Sequence, residues 1–227
     1  MGRCFDLMKT SAASTRIADY SLAIDTSAGT TVAVLSMGTV IAEVNYLEPM
    51  THSERIGSAI EKVLADSGIQ ANQISTVVAG VGPGPFTGLR VGLAAARYFA
   101  IGAQAELVGV CSLDSIALDF YIGNPGAGNL LVTTDARRKE VFWATYSGVV
   151  DGIPIRTQGP AVNKLEDIQT LVDVSTMATT ELGVRAGALG QIAFAQGLSP
   201  QGTNSEITPI YLREPDAVPS KGKKVSG

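Results

Sequence analysis

The chain has 227 residues, of which 45% are hydrophobic and 17% charged, a composition that favours a sizeable packed core over broad disorder. Its net charge of −4 argues against a protein that grips nucleic acid unaided through a basic surface. The two cysteines form no disulfide framework, and no apolar run reaches the ~18 residues of a membrane helix, so we expect a cytoplasmic protein without membrane association.

A polar leader precedes the first ordered block. Residues 1–19 lack the apolar stretch of a secretory signal, and we expect them to be a disordered leader. The next segment predicts a β-meander of three short strands, at residues 21–26, 31–36 and 40–46. Thr51 and Glu54 have the spacing of a capping box, which predicts that a helix begins there and ends near Gly68.

A loop rich in glycine and proline is the most informative feature of the sequence. It reads GPGPFTG over residues 82–88, between an apolar strand predicted at 74–81 and a small-residue helix predicted at 90–102. The loop has neither the Lys-Ser/Thr of a P-loop nor the GxGxxG spacing of a dinucleotide site. Two interpretations remain: a phosphate cradle at a helix start, or a backbone that lets another chain lie close to the helix.

The second half of the sequence repeats the pattern of the first. Its strands form another predicted meander, at residues 130–134, 140–147 and 152–157. Asp135 ends the first of these strands as Asp25 ends the first strand of the earlier block, 110 positions before. This internal duplication predicts two similar lobes.

We therefore predict an α/β fold with two lobes, at residues 20–112 and 113–215, each with a mixed sheet flanked by helices. The second lobe is expected to be reduced, because little strand-like sequence lies between residues 157 and 207. In the rest of the chain we predict helices at residues 166–173 and 181–196. A closing strand or docked segment is predicted at 207–212, and a disordered tail at 216–227.

Asp25 and Asp135 are candidate cleft residues. In one interpretation they face each other between the lobes and hold a metal–phosphate group, with Thr26, Gly82 and Gly84 lining the same nucleotide cleft. In the other, each aspartate caps its own turn with its side chain. Spacing alone leaves both interpretations open.

The helix after the glycine loop is apolar on nearly every side, which predicts burial on more than one face. Its small and aromatic residues form a stripe that consists of Gly88, Gly92, Ala95, Ala96 and Phe99. Such a stripe lets another helix approach closely. That helix belongs either to the same lobe or to a second chain.

A basic cluster of three residues lies between two predicted strands. Arg137, Arg138 and Lys139 follow one another, and three successive cations can contact a phosphate or the backbone of tRNA. The alternative is a solvated hairpin tip.

His52 is the only histidine of the chain. A zinc site normally takes three or four ligands, mostly His or Cys, so this histidine and two scattered cysteines predict no metal site. A Ser-His-Asp triad would also have to use His52, but no GxSxG elbow accompanies it. A structural or interfacial role is therefore favoured.

Taken together, five segments resemble the TsaB family, also called YeaZ, a subunit of the bacterial system that makes threonylcarbamoyladenosine in tRNA. They are IDTS at 24–27, HSE at 52–54, GPGPFTGLRVG at 82–92, DARRKEV at 135–141 and PIYLR at 209–213. The segments span most of the chain, and the glycine-loop motif is highly specific. The resemblance implies a two-lobe actin/hexokinase-type (ASKHA) fold related to the TsaD/glycoprotease superfamily.

The resemblance also implies a non-catalytic scaffold that dimerises with a TsaD-like subunit, with a TsaE-like ATPase and tRNA joining through the complex. A homodimer is expected when the chain is alone. No cofactor is expected in the isolated chain, and binding of ATP with Mg is expected only when its partners are present. Carried over to this sequence, the partner-binding residues are Ile56, Ile60, Gly88, Gly92, Ala95 and Phe99.

Two departures from the family pattern weaken the expectation of nucleotide binding by the chain alone. Pro85 stands where family members usually have serine, and the region 159–205 is shorter than usual. Two other functions remain as alternatives. One is a small ATP-binding kinase-like protein built around Asp25 and Asp135, and the other is a glycoprotease-like metallopeptidase, for which the ligands are missing.

Overall fold

Two mixed β-sheets form the framework of the protein in a computed structural model, which describes residues 20–46, 52–172, 178–180, 182–197 and 207–213. The predicted leader at 1–19 and tail at 216–227 lie outside the described residues. The predicted α/β class with mixed sheets flanked by helices is confirmed. No helix in the described part of the chain is long and apolar enough to cross a membrane.

The first sheet has five strands in the order β3-β2-β1-β4-β5. Their bounds are β1 Tyr20–Asp25, β2 Thr30–Ser36, β3 Thr39–Tyr46, β4 Ile74–Gly80 and β5 Glu106–Val110. The first three strands pair antiparallel through short turns, as the meander predicts, and β4 and β5 join parallel to β1. β1 and β4 are buried along most of their length because helices cover both faces of the sheet.

Alternate residues of the first sheet belong to two separate cores. Leu22 and Val77 point into a core that is shared with α1 (His52–Ser67) and α2 (Phe86–Ala103). Ala23 and Val78 point to the other side, where α3 (Ser112–Gly123) and α5 (Ala186–Ala195) lie. Helices therefore cover both faces of this sheet.

The second sheet has four strands in the described part of the chain, in the order β8-β7-β6-β9. Their bounds are β6 Leu130–Asp135, β7 Glu140–Val150, β8 Ile153–Lys164 and β9 Ala178–Thr180. Helix α4 (Leu165–Leu171) packs on this sheet through Ile168. In the described part of the chain, this sheet has one strand fewer than the first sheet.

The predicted duplication is visible in the geometry. β1 and β6 are both six-residue strands, at positions that differ by 110, and each pairs antiparallel with the next strand and parallel with a later one. The register repeats as well, since Asp25 lies opposite Thr31 and Asp135 lies opposite Val141. Each half is thus a strand meander followed by a parallel strand.

The two lobes share one core. Leu35 and Val78 of the first sheet belong to the same buried cluster as Val132 and Tyr146 of the second, with α3 and α5 between them. Helix α5 follows the second sheet in the chain but lies against the first, since a Cβ on Gly190 would fall 2.4 Å from the side chain of Leu35. The predicted limits at 112 and 113 separate the sheets along the chain, whereas the packing crosses them.

The expectation that residues 157–207 hold little strand was wrong. β8 continues to Lys164, and β9 adds a parallel strand next to β6. The sequence predicted this strand only over 152–157. Half of the residues of β8 are exposed to solvent, which an antiparallel strand allows on one face.

Residues 207–213, here called the clasp, form a docked segment rather than a strand of either sheet. The N–H of Ile210 donates to the carbonyl of Val81 at 2.8 Å, next to the glycine loop. At the other end, Arg213 donates to the carbonyl of Ala136 at 2.8 Å and pairs with Glu140 of the second sheet. The clasp therefore joins the two sheets across their ends.

Candidate functional site

The carboxylate of Asp25 is buried and fully engaged at the end of β1. The residue is only 1% exposed. Its Oδ1 accepts hydrogen bonds from the N–H and the hydroxyl of Ser27, at 2.7 and 2.6 Å, and its Oδ2 accepts one from the hydroxyl of Ser112 at 2.5 Å. A carboxylate satisfied in this way closes its own turn and does not present open oxygens to a ligand.

The glycine that ends β4 and the glycines of the loop after it make room for neighbours in the same lobe. A Cβ on Gly80 would lie 1.7 Å from Oδ2 of Asp25, and one on Gly84 would lie 2.7 Å from the Cβ of Ser27. Gly82 adopts a φ of +90°, and its N–H donates to the hydroxyl of Ser112 at 3.1 Å. The loop is pressed onto the turn after Asp25, so its shape is accounted for by internal packing.

Thr26 and α2 interlock in the same way. The Thr26 hydroxyl donates to the carbonyl of Gly88 at 2.7 Å, and a Cβ on Gly92 would lie 2.2 Å from Oγ1 of Thr26. Both glycines are buried. The small size of Gly92 therefore serves the packing of α2 against the end of β1.

Asp135 lies in a different environment from Asp25 although both end corresponding strands. It is exposed, and its Oδ1 accepts from the N–H of Arg137 at 2.7 Å. The small pocket beside Asp25 is lined by residues of the first sheet, by the turn between β1 and β2 and by Val184, and Asp135 is not among them. Both aspartates cap their own turns, which is the second of the two interpretations that the sequence left open.

The six predicted partner-binding residues fall into two groups. Ile56, Gly88 and Gly92 are buried inside the first lobe. Thr26 occupies the space beside Gly92, and the assignment of the two glycines to a partner interface stays a prediction. Ile60, Ala95 and Phe99 are partly buried and pack at the margin of the core beneath α1 and α2, so their assignment to a partner interface stays a prediction.

The outer side of α2 carries large apolar side chains that the sequence reasoning missed. Tyr98 is 74% exposed and Ile101 is 65% exposed. With the exposed Ala94 they have the spacing i, i+4, i+7, which places them on one face of the helix. The spacing is present in the sequence, but the interpretation of α2 rested on the stripe of glycine and alanine on its opposite side.

The start of α2 is tied to the clasp. The rings of Phe86 and Tyr211 pack with centroids 5.0 Å apart, and the Arg90 guanidinium lies 3.7 Å above the Phe86 ring. Nε of Arg90 also donates to the Tyr211 hydroxyl at 3.2 Å. These contacts fix the first turn of α2, which has no side-chain hydrogen bond at its N-cap, Pro85.

The predicted basic cluster is a hairpin tip between β6 and β7, and all three of its cations are exposed. Arg137, Arg138 and Lys139 have φ values of 64°, 56° and 63°, a full left-handed turn. The N–H of Glu140 donates to the carbonyl of Arg137 at 3.0 Å and closes that turn.

A buried polar cluster joins α3 to the second sheet. Asp114 accepts from the Tyr146 hydroxyl at 2.7 Å and from the Arg156 guanidinium at 2.8 Å. Burial raises the pKa of Asp114, while the charge of Arg156 opposes that rise. Burial also raises the pKa of the neighbouring Cys111 to about 12, so its thiol stays protonated.

The side chain of His52 lies outside the described part of the molecule, as does the predicted capping box at 51–54, and the proposed roles of both stay predictions. In the portion of the chain that the structure describes, no three His, Cys, Asp or Glu side chains group so that they could hold a metal ion.

Comparisons with known proteins agree on one group. The family model for TsaD, tRNA N6-adenosine threonylcarbamoyltransferase, matches residues 48–196. An uncharacterised protein of Mycobacterium tuberculosis (strain ATCC 25618 / H37Rv) is 35% identical over 193 residues, which cover 79% of this chain and 83% of that protein. The tRNA threonylcarbamoyladenosine biosynthesis protein TsaB of Escherichia coli (strain K12) is 38% identical over 146 residues, which cover 64% of this chain and 62% of TsaB.

A solved structure matches over a longer stretch. YeaZ from Pseudomonas aeruginosa superimposes with a TM-score of 0.72 at 25% sequence identity, and the match covers 86% of this chain and all of that one.

Proposed function

Because this chain belongs to the TsaB family, within the group that the TsaD threonylcarbamoyltransferase model describes, we propose that it is a non-catalytic subunit of a tRNA-modifying complex. In this proposal it dimerises with a TsaD-like subunit, which transfers a threonylcarbamoyl group to an adenosine of tRNA. The chain contributes a surface to the complex and makes or breaks no bond itself.

The exposed apolar face of α2 is the observation that supports docking. Tyr98 and Ile101 direct large apolar surfaces to solvent, next to the smaller Ala94. Covering such side chains is favourable by about 25 cal/mol for each Å² of apolar surface removed from water. The proposed partner is therefore a helical surface that packs on α2 and the adjoining edge of α1, where Ile60 and Phe99 lie partly buried.

The state of Asp25 supports a scaffold over an independent nucleotide-binding enzyme. A kinase-like site built on Asp25 and Asp135 needs both carboxylates open to a metal–phosphate group. Asp25 instead accepts hydrogen bonds from Ser27 and Ser112. We propose that the isolated chain holds no nucleotide, and that ATP with Mg enters only with partners.

The further partners follow from the same role. A TsaE-like ATPase and tRNA join through the complex, in the cytoplasm. Alone, the chain is proposed to pair with a second copy through the face of α2, because that face would otherwise stay wet.

Reconstitution tests the proposal. The full-length chain and the TsaD-like subunit of the same organism are co-expressed, and the eluted complex is sized. Threonylcarbamoylation of an unmodified tRNA transcript is then measured with each protein alone and with both, together with the TsaE-like ATPase. Activity is expected only in the mixture. Modification at the same rate without this chain would overturn the proposal.

A further inference from the structure

We propose that the hairpin tip formed by Arg137, Arg138 and Lys139 is the contact of this chain with the phosphate backbone of RNA. The proposal rests on the proposed function and adds to it the surface that meets the tRNA. Three observations support it: the placement of charge, the backbone conformation, and the way in which the base of the hairpin is held.

Positive charge is concentrated at the hairpin tip. The chain carries a net charge of −4, yet three successive cations stand exposed at one tip. Arg137 forms a long, exposed ion pair with Asp135, whose Oδ2 lies 3.8 Å from Nε of Arg137. Within the described part of the chain, the ammonium of Lys139 has no ion-pair partner. Closely spaced cations of this kind match successive phosphates of a nucleic acid.

The backbone of the tip is held in a conformation that these residue types avoid. Three successive non-glycine residues have φ between 56° and 64°. Left-handed backbone disfavours any residue with a Cβ, and it normally occurs at single glycine, asparagine or aspartate positions. A run of such residues with long charged side chains persists where the surrounding structure enforces it, and strain of this kind collects at functional sites.

The base of the hairpin is fixed from both sides. The carboxylate of Asp135 holds the N–H of Arg137, and the N–H of Ala136 donates to the carbonyl of Glu140 at 3.0 Å. Arg213 of the clasp reaches the carbonyl of Ala136 and pairs with Glu140. Arg213 thereby neutralises the carboxylate that would otherwise weaken the attraction of the tip for an anion. The three cations are presented by a rigid base.

Salt dependence of tRNA binding tests the proposal. The dissociation constant of an unmodified tRNA transcript is measured for the complex of this chain with its TsaD-like subunit, between 50 and 200 mM salt. The logarithm of the association constant falls linearly with the logarithm of the salt concentration, and each phosphate contact that is lost makes this slope shallower by about 0.7–0.9. The triple variant Arg137→Gln, Arg138→Gln, Lys139→Gln is expected to make the slope shallower by about 2–3 and to weaken binding roughly tenfold.

A matched pair of single variants provides the control. Lys139→Gln and Lys62→Gln each remove one exposed cation, the first from the tip and the second from α1. Only Lys139→Gln is expected to change the slope, and both variants are expected to form the complex and to melt like the parent.

The outcomes separate the two proposals. If the parent chain stimulates tRNA modification but the triple variant keeps the parent slope and affinity, the hairpin is not the RNA contact and the scaffold role stands. A loss of affinity without a change of slope also overturns the inference, because ionic contacts would then be absent. If the parent chain neither binds the TsaD-like subunit nor stimulates modification, the proposed function fails and the inference fails with it.

Discussion

The Ser112 hydroxyl donates a 2.5 Å hydrogen bond to Oδ2 of Asp25, across 87 positions of sequence. The same hydroxyl accepts the N–H of Gly82 at 3.1 Å. One side chain at the start of α3 therefore joins the end of β1 to the glycine loop. Asp25 therefore helps to hold β1, the glycine loop and α3 together, and a comparison with the exposed Asp135 measures how much these bonds stabilise the fold.

Asp25→Asn is expected to destabilise the protein by about 1–3 kcal/mol, since an amide nitrogen cannot accept the bonds that a carboxylate oxygen accepts and a buried donor is left unpaired. Asp135→Asn is the matched control at the corresponding, exposed turn, and a change within about 0.5 kcal/mol is expected there. Urea unfolding of both variants measures the difference. Equal stability of the two variants, with a loss of nucleotide or metal binding only in Asp25→Asn, would restore the cleft interpretation.

Gly92→Ala tests the packing of α2 on Thr26. The new Cβ would lie 2.2 Å from Oγ1 of Thr26, whose hydroxyl is held by Gly88, and the expected loss is about 1–3 kcal/mol. Gly102→Ala on the same helix is the control. Nothing lies within 4 Å of its Cβ position, so a gain of about 0.5–1 kcal/mol is expected. Thermal melts that rank the two variants in the opposite order would refute the assignment.

Tyr98→Ser with Ile101→Ser is expected to abolish co-purification with the TsaD-like subunit and to leave the melting temperature of the isolated chain within a few degrees, because both side chains already face solvent. Ile122→Ser on α3 removes a side chain of similar exposure, 58%, away from α2, and the complex is expected to survive it. Analytical size-exclusion chromatography measures complex formation by both variants. Full complex formation by the double variant would place the interface elsewhere.

Lys139→Gly is expected to stabilise the protein relative to Lys139→Ala, although both lose the same charge. Glycine removes the steric cost of the left-handed backbone at position 139, which is about 1–2 kcal/mol for a residue with a Cβ. Its greater conformational entropy in the unfolded chain costs about 0.5–1 kcal/mol. The net gain of about 0.5–1 kcal/mol corresponds to a rise of roughly 1–4 °C in Tm for a chain of this size. A lower Tm for Lys139→Gly would show that the tip is not strained.

Cys111 is expected to resist alkylation in the folded protein. Burial raises the pKa of its thiol to about 12, so only about one molecule in ten thousand carries the reactive thiolate at pH 8. In a Cys4→Ser background, iodoacetamide should label the native chain negligibly at pH 8 and completely in 8 M urea. The native labelling rate should rise tenfold for each pH unit below 12. Fast native labelling at pH 7 would contradict this prediction.

Sequence patterns predicted the parts of the fold that depend on local spacing. The 110-residue offset between Asp25 and Asp135 predicted two meanders of the same design, and the apolar run after residue 74 predicted a central parallel strand. These features are visible because strand periodicity and turn residues act over a few positions. The sequence predicted β8 only as far as residue 157, and its continuation to Lys164 was missed because the pair Gly159-Pro160 is typical of a turn.

The candidate site was less predictable because its contacts join distant residues. Nothing near Gly92 in the sequence indicates that Thr26 fills the space beside it, 66 positions earlier. Glycine and alanine stripes look alike whether a helix packs on its own lobe or on another chain. The spacing of Tyr98 and Ile101 was present in the sequence, but which side of α2 is exposed depends on contacts with distant residues such as Thr26.

The order of the chain gives the clasp a consequence for synthesis. Both sheets and all five described helices precede residue 207, so a ribosome can release them to fold before Ile210 and Arg213 emerge. A nascent chain that stalls before this point would contain the described strands and helices of both sheets. The hairpin tip and the first turn of α2 would still lack their contacts with the clasp. Newly made molecules would thus acquire the finished geometry of both surfaces in a single late step.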